Sequence, residues 1–218
     1  MPVNAVDQGA VVDLLGVLAY AELTAFDRLA EDARLAPTLA GHAALAQMAA
    51  AELGHHARLT ARLAELGADP TAAMAPFVAA LDAFHDSTRP HTWLEGLVKA
   101  YVGDGLAGDF YREIAAFLPD PDRALILDVL ADTGHADFAV REVRAAIATN
   151  RTLSGRLALW GRRLVGEAIT QSQAVIAERD RLARLIIEGT GDLAGVGRLV
   201  ERITAAHTKR MRALGLNP

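Results

Sequence analysis

Apolar residues recur along most of this chain at the three-and-four spacing of a helix that buries one face. One stripe runs through Leu15, Leu18, Phe26 and Leu29, and a second through Leu45, Met48, Leu59 and Leu66. A third follows Leu94, Leu97, Tyr101, Tyr111 and Leu118, and a fourth includes Leu125 and Ala139. Breakers separate them. The pattern predicts a helix over Val11–Leu35, stopped by Pro37, and another over Thr38–Leu66, closed by Gly67. Residues 68–89 read as a connector holding Pro70, Pro76 and a short helix from Phe77 to Phe84. A third helix is expected from Pro90 to Leu118, then a turn at Pro119-Asp120-Pro121, then a fourth from Asp122 to Thr149. A fifth covers Leu153–Ile187, and a sixth, capped by Asp192, ends at Gly215.

Short links make helices one and two antiparallel neighbours, and likewise three and four. The connector of about twenty residues is long enough to cross a bundle from end to end. Two hairpins joined by one crossover define an all-α, ferritin-like four-helix bundle. The expected organisation is this bundle over residues 1–150, with residues 151–218 as a helical extension packed on it. Composition agrees. Ala and Leu dominate and aromatics are only 5%, which favours helices over strands. The absence of cysteine excludes disulfides, iron–sulfur clusters and thiolate nucleophiles. No uninterrupted apolar run reaches the roughly 18 residues of a membrane span, and no signal-like segment opens the chain. A cytoplasmic protein without membrane contact is expected.

Polar residues interrupt each stripe where a core residue is due. Glu22 lies in the first, Glu52 and His55 in the second, Asp104 in the third, and Asp132 and His135 in the fourth. Each helix thus turns one carboxylate inward, and each acid-x-x-His pair shares a helix face. Burying an ionised carboxylate costs ideally on the order of 20 kcal/mol, several of which survive relaxation. Lys and Arg are missing from the inward positions, so paired divalent cations are the expected compensation. Four carboxylates and two imidazoles form the ligand set of carboxylate-bridged di-iron bundles. Oxygen and nitrogen donors suit two iron ions, with manganese as the alternative. The acids are spaced alike in both hairpins, Glu22 to Glu52 and Asp104 to Asp132. On the third helix Asp109 competes with Asp104, which fits the stripe of Tyr101 and Tyr111. Tyr101, one turn before Asp104, and Asp128, one turn before Asp132, are candidates to support the centre. For Asp128 that role would be to hold a ligand histidine in its tautomer.

Charge is divided unevenly. Residues 1–140 carry 8 basic and 20 acidic side chains, and residues 141–218 carry 14 and 7. Arg141, Arg144, Arg151, Arg156, Arg162 and Arg163 face a single acid, Glu142. They can hold phosphates, or neutralise the acidic half within the chain or across a dimer.

On Glu22, Glu52-Leu53-Gly54-His55, Asp104 and Asp132-Thr133-Gly134-His135, residues 10–150 resemble the ferritin-like di-iron superfamily, most nearly the MiaE-like branch of tRNA isopentenyladenosine hydroxylases. The resemblance implies a monooxygenase that uses dioxygen and an external electron donor, such as an electron-transfer protein. It would hydroxylate the isopentenyl group of a modified tRNA adenosine, received in an apolar pocket near Phe26, Met48 and Tyr111. The six arginines would then contact tRNA. Two ligands are Asp where the family pattern has Glu, one methylene shorter. A ferroxidase or metal-handling protein without organic substrate is the alternative, and a metal-free helical interaction module a second one.

Overall fold

The computed structural model describes residues 7–131 and 135–218, which form helices and connecting turns with no strand among them. Helix α1 (Gln8–Asp32) starts at the side chain of Asp7, which accepts from Gly9 N, and tightens into a 3-10 turn at Ala33–Leu35. Helix α2 (Leu39–Glu65) is capped by Thr38. It ends at Gly67, whose φ of 76° closes the last turn, with Gly67 N donating to Ala64 O and Ala68 N to Leu63 O. Gln8 Nε2 at the start of α1 donates to Leu66 O at the end of α2, so the two helices run antiparallel.

The connector holds α3 (Pro70–Met74), a 3-10 turn and α4 (Val78–Ser87). It climbs back along α1, where Tyr20 Oη donates to Asp82 at 2.8 Å and His85 bonds Thr24. The third helix therefore begins beside the C-terminal end of α1, and Gly96 lies against Asp32. It consists of α5 (Trp93–Lys99), a single π turn over Ala100–Asp104, and α6 (Gly105–Ala115). Then follow α7 (Asp120–Val129) and α8 (His135–Thr149). Arg62 near the end of α2 pairs with Asp122 at the start of α7. This is the crossover-linked pair of hairpins expected for the bundle.

Two expected helices are broken. The fourth stops at Val129, with Leu130 out of helical conformation, instead of running unbroken from Asp122 to Thr149. The fifth divides into α9 (Thr152–Glu178) and α10 (Asp180–Thr190) at Arg179, where φ −124° and ψ 79° interrupt the helix. No glycine or proline stands at Arg179, which is why the pattern conceals that break. Helix α11 (Leu193–Ala213) follows, capped by Asp192.

Two apolar cores are stacked along the bundle. One joins Leu14, Leu15 and Leu18 of α1 to Leu59 and Leu63 of α2, Ile114 of α6, Ile126 of α7 and Leu182 of α10. The other joins Leu29 to Leu45, Met48, Leu97, Val143, Trp160, Leu164 and Met211. The last three helices thus supply residues to both cores. Gln8–Leu35 is long and apolar enough, by length and composition, to cross a membrane. Its apolar stripe is buried in these cores, and it carries the buried acids Asp13 and Glu22.

Candidate metal centre

The polar residues that interrupt the stripes occupy the layer between the two cores. On α1 the first core ends at Ala19 and the second begins at Leu29, with Glu22 between them. On α2 the second core reaches Ala49 and the first resumes at Leu59, which brackets Glu52 and His55. Asp104 falls likewise between Val102 and Tyr111. Antiparallel packing of α1 on α2 then brings three donors together. His55 Nδ1 lies 3.3 Å from Glu22 Oε2 and 3.2 Å from Glu52 Oε2. One ligand atom from each of Glu22, Glu52 and His55 lies within 4.8 Å of the others. His56, one residue on, points elsewhere and bonds Ala19 O at 2.8 Å, tying α2 to α1.

Burial sets the electrostatics. Glu22 is 8% exposed. Desolvation drives its carboxyl well above the ordinary carboxylate range; the His55 ring opposes this and Glu52 adds to it. The two carboxylates raise His55 to about 9. Asp104 keeps surface open to the cavity it lines. The surrounding protein still desolvates its carboxyl enough to raise it strongly, and Glu52 pushes in the same direction. No guanidinium or ammonium pairs with Glu22 or His55 among the described residues. A divalent cation would offset the buried carboxylates, and the oxygen and imidazole donors fit iron or manganese.

The cluster borders a cavity of about 280 Å³. Leu29, Met48, Leu97 and Tyr111 give it apolar walls, Asp104 and Tyr101 line it from the third helix, and Ala139 lines it from the fourth. Phe26 is absent from this wall and lines a separate surface groove with Leu53, so that part of the expected pocket is corrected. Cations also come inward, contrary to expectation. Arg210 and, from its exposed position, Arg112 line the cavity, and Lys99 is buried. Arg210 arrives from α11 and pairs with Asp109. Gly105 makes room for it, because a Cβ there would stand 2.5 Å from Arg210 Nε. Of the two competing acids, Asp104 therefore lines the cavity while Asp109 serves an ion pair. Gly105, inside a helix, was the sequence signal of this close approach.

Other candidates are placed as follows. Asp132 and the side chain of His135 lie outside the described residues. Asp128 is exposed and paired with Arg58 at 2.5 Å. Through this pair it joins α7 to α2. The six arginines are spread over α8, α9 and the turn between them. Arg144, Arg162 and Arg163 donate to Ala213 O, Asn217 O and Ser87 O. Arg156 lies 3.7 Å from Glu95, and Arg141 stacks on Phe138. Arg151 is exposed. His207 on α11 is 7% exposed, and its Nδ1 is buried without a partner among the described residues.

Residues 6–189 match the family described as a ferritin-like domain of actinomycetes, and the chain belongs to that family. The matched region continues past residue 150 into α10, so the family unit includes helices beyond the four of the bundle. No curated protein matches the chain.

Proposed function

We propose that this protein is a non-haem di-iron hydroxylase, a monooxygenase acting on an apolar group. One observation carries the reading: a largely buried carboxylate–imidazole cluster borders a cavity with mainly apolar walls that is partly open to solvent. Glu22, Glu52, His55 and Asp104 would hold the metal, with Asp132 and His135 completing the set that the sequence pattern implies. Bound iron would supply oxygen activation and electron exchange, chemistry that protein side chains lack. The chain's own residues would bind and shield. Leu29, Met48, Leu97 and Tyr111 would seat the alkyl group and keep water out. Burial and the nearby Glu22 hold the Tyr111 phenol protonated. A ferroxidase has no use for an apolar chamber beside its acids, which ranks that alternative second.

The isopentenyl group of a modified tRNA adenosine is the proposed substrate. The family resemblance supports it, together with the exposed guanidiniums of Arg141, Arg151 and Arg156. The test begins with metal analysis of protein expressed in iron-replete medium. Roughly two irons per chain are expected, falling to near zero in Glu52→Ala. An iron-free wild type with an unchanged melting temperature on iron addition would overturn the reading. In a deletion strain, the hydroxylated adenosine content of tRNA should fall. An unchanged content rejects the tRNA substrate while leaving the metal centre standing.

A further inference from the structure

A second cavity, of about 150 Å³, opens where the end of α1 meets α4, the segment after it, and α5. Arg28, Arg34, Arg89 and Lys99 line it, against two acids, Glu31 and Asp32. Arg28 is committed to Glu31 at 3.2 Å. Arg89 lies 3.7 Å from Asp86, both well exposed, which makes a weak pair. Arg34 has no hydrogen-bond or ion-pair partner among the described residues.

Lys99 is the sharper anomaly. It is 6% exposed. Its ammonium donates to Thr88 O at 2.9 Å and sits 5.5 Å from the centre of the Phe84 ring. No carboxylate among the described residues comes within the 4 Å of an ion pair. An ammonium has three donors, and this one spends a single donor on a neutral carbonyl. Asp32 faces it from beyond ion-pair distance, so the buried ammonium is only partly compensated. Here it borders an internal space whose rim is also cationic, and the lining cations outnumber the acids by two.

We propose that this cavity is a binding site for a small tetrahedral oxyanion, either inorganic phosphate or the phosphate of a monoester. Lys99 contacts the anion from the buried side, and Arg34 and Arg89 from the rim. The site is independent of the metal centre, and its test keeps the two apart. Thermal unfolding and calorimetric titration of the purified protein are run with inorganic phosphate, ionic strength being held constant with chloride. Phosphate should raise the melting temperature saturably, above the chloride control. The double variant Arg34→Gln/Arg89→Gln changes two exposed side chains and should fold normally. Its phosphate affinity should fall roughly tenfold or more, the loss of two charge-assisted contacts. Glu52→Ala should retain wild-type phosphate binding. Glycerol phosphate in place of inorganic phosphate separates the two sources: equal affinity assigns the site to monoesters, weaker affinity to the free ion. Phosphate acting no differently from chloride would overturn the proposal. So would unchanged affinity in the double variant, or loss of the effect in Glu52→Ala, which would place phosphate on the metal instead.

Discussion

At His85 the protonation state follows from one neighbour. The Thr24 hydroxyl donates to Tyr20 O and Ala21 O, at 3.1 and 3.0 Å. Its oxygen is left to accept, so His85 Nε2–H donates to it at 3.2 Å. Nδ1 is then a lone-pair atom, buried and without a partner. Burial first, and then the charges of Lys99 and Arg28, push the ring down to about 3. The unfolded ring titrates near ~6.5. On acidification the unfolded chain therefore takes up the proton first, and stability falls as pH drops below that value toward 3. His85→Gln keeps a donor for Thr24 and removes the titration. Between pH 7.5 and 5, metal-stripped wild type should lose about 2 kcal/mol more than the variant in urea unfolding. Parallel profiles would show that His85 does not titrate as its surroundings require.

Among the elements, the third helix and the break at Arg179 carry information that periodicity cannot. The stripe of Tyr101, Asp104 and Tyr111 assumed 3.6 residues per turn, yet Ala100–Asp104 forms a π turn. Such a turn inserts a residue and shifts the phase of everything after it by about 100°. Asp104, at the end of this turn, lines the cavity while staying exposed. The pairing of Asp109 with Arg210 was not legible, because its partner lies 101 positions away. At the α9–α10 break, Arg179 donates to Asp13 of α1 at 2.5 Å and covers the Phe77 ring. Asp13 is 6% exposed. Arg179→Met would leave that carboxylate buried and unpaired, and should cost about 3 kcal/mol or more in denaturant unfolding. Asp13→Asn leaves only the more exposed guanidinium unpaired and should cost clearly less. Equal losses would mean that the pair acts by packing alone.

For the whole molecule, the uneven charge acquires a structural role. Arg202 forks onto Glu113 at 2.6 and 2.7 Å, Arg210 pairs with Asp109, and Arg179 with Asp13. Part of the basic tail thus neutralises the acidic half within one chain. The C-terminal helices also complete both cores, through Leu157, Trp160, Leu164 and Met211 in one and Leu182, Leu185 and Ile186 in the other. A chain cut after residue 150 exposes the partners of all of these. It should lack a cooperative thermal transition and bind apolar dyes. A sharp melt from residues 1–150 would show instead that the tail is an optional layer.

Helix content, the two hairpins, the crossover, and the acids on α1, α2 and the third helix were all legible in the order of residues. Each is written in local spacing: an i,i+3 pair such as Glu52 and His55 shares a face whatever surrounds it, and a breaker ends a helix wherever it stands. What the packing alone decided concerns neighbours from distant segments. The single cavity lined by Glu22, Glu52, His55 and Asp104, the guanidinium of Arg210 lying over Gly105, and the buried ammonium of Lys99 are of this kind. Burial and electrostatic cost depend on which side chains from other helices fill the space around a group, and no periodicity within one helix records them.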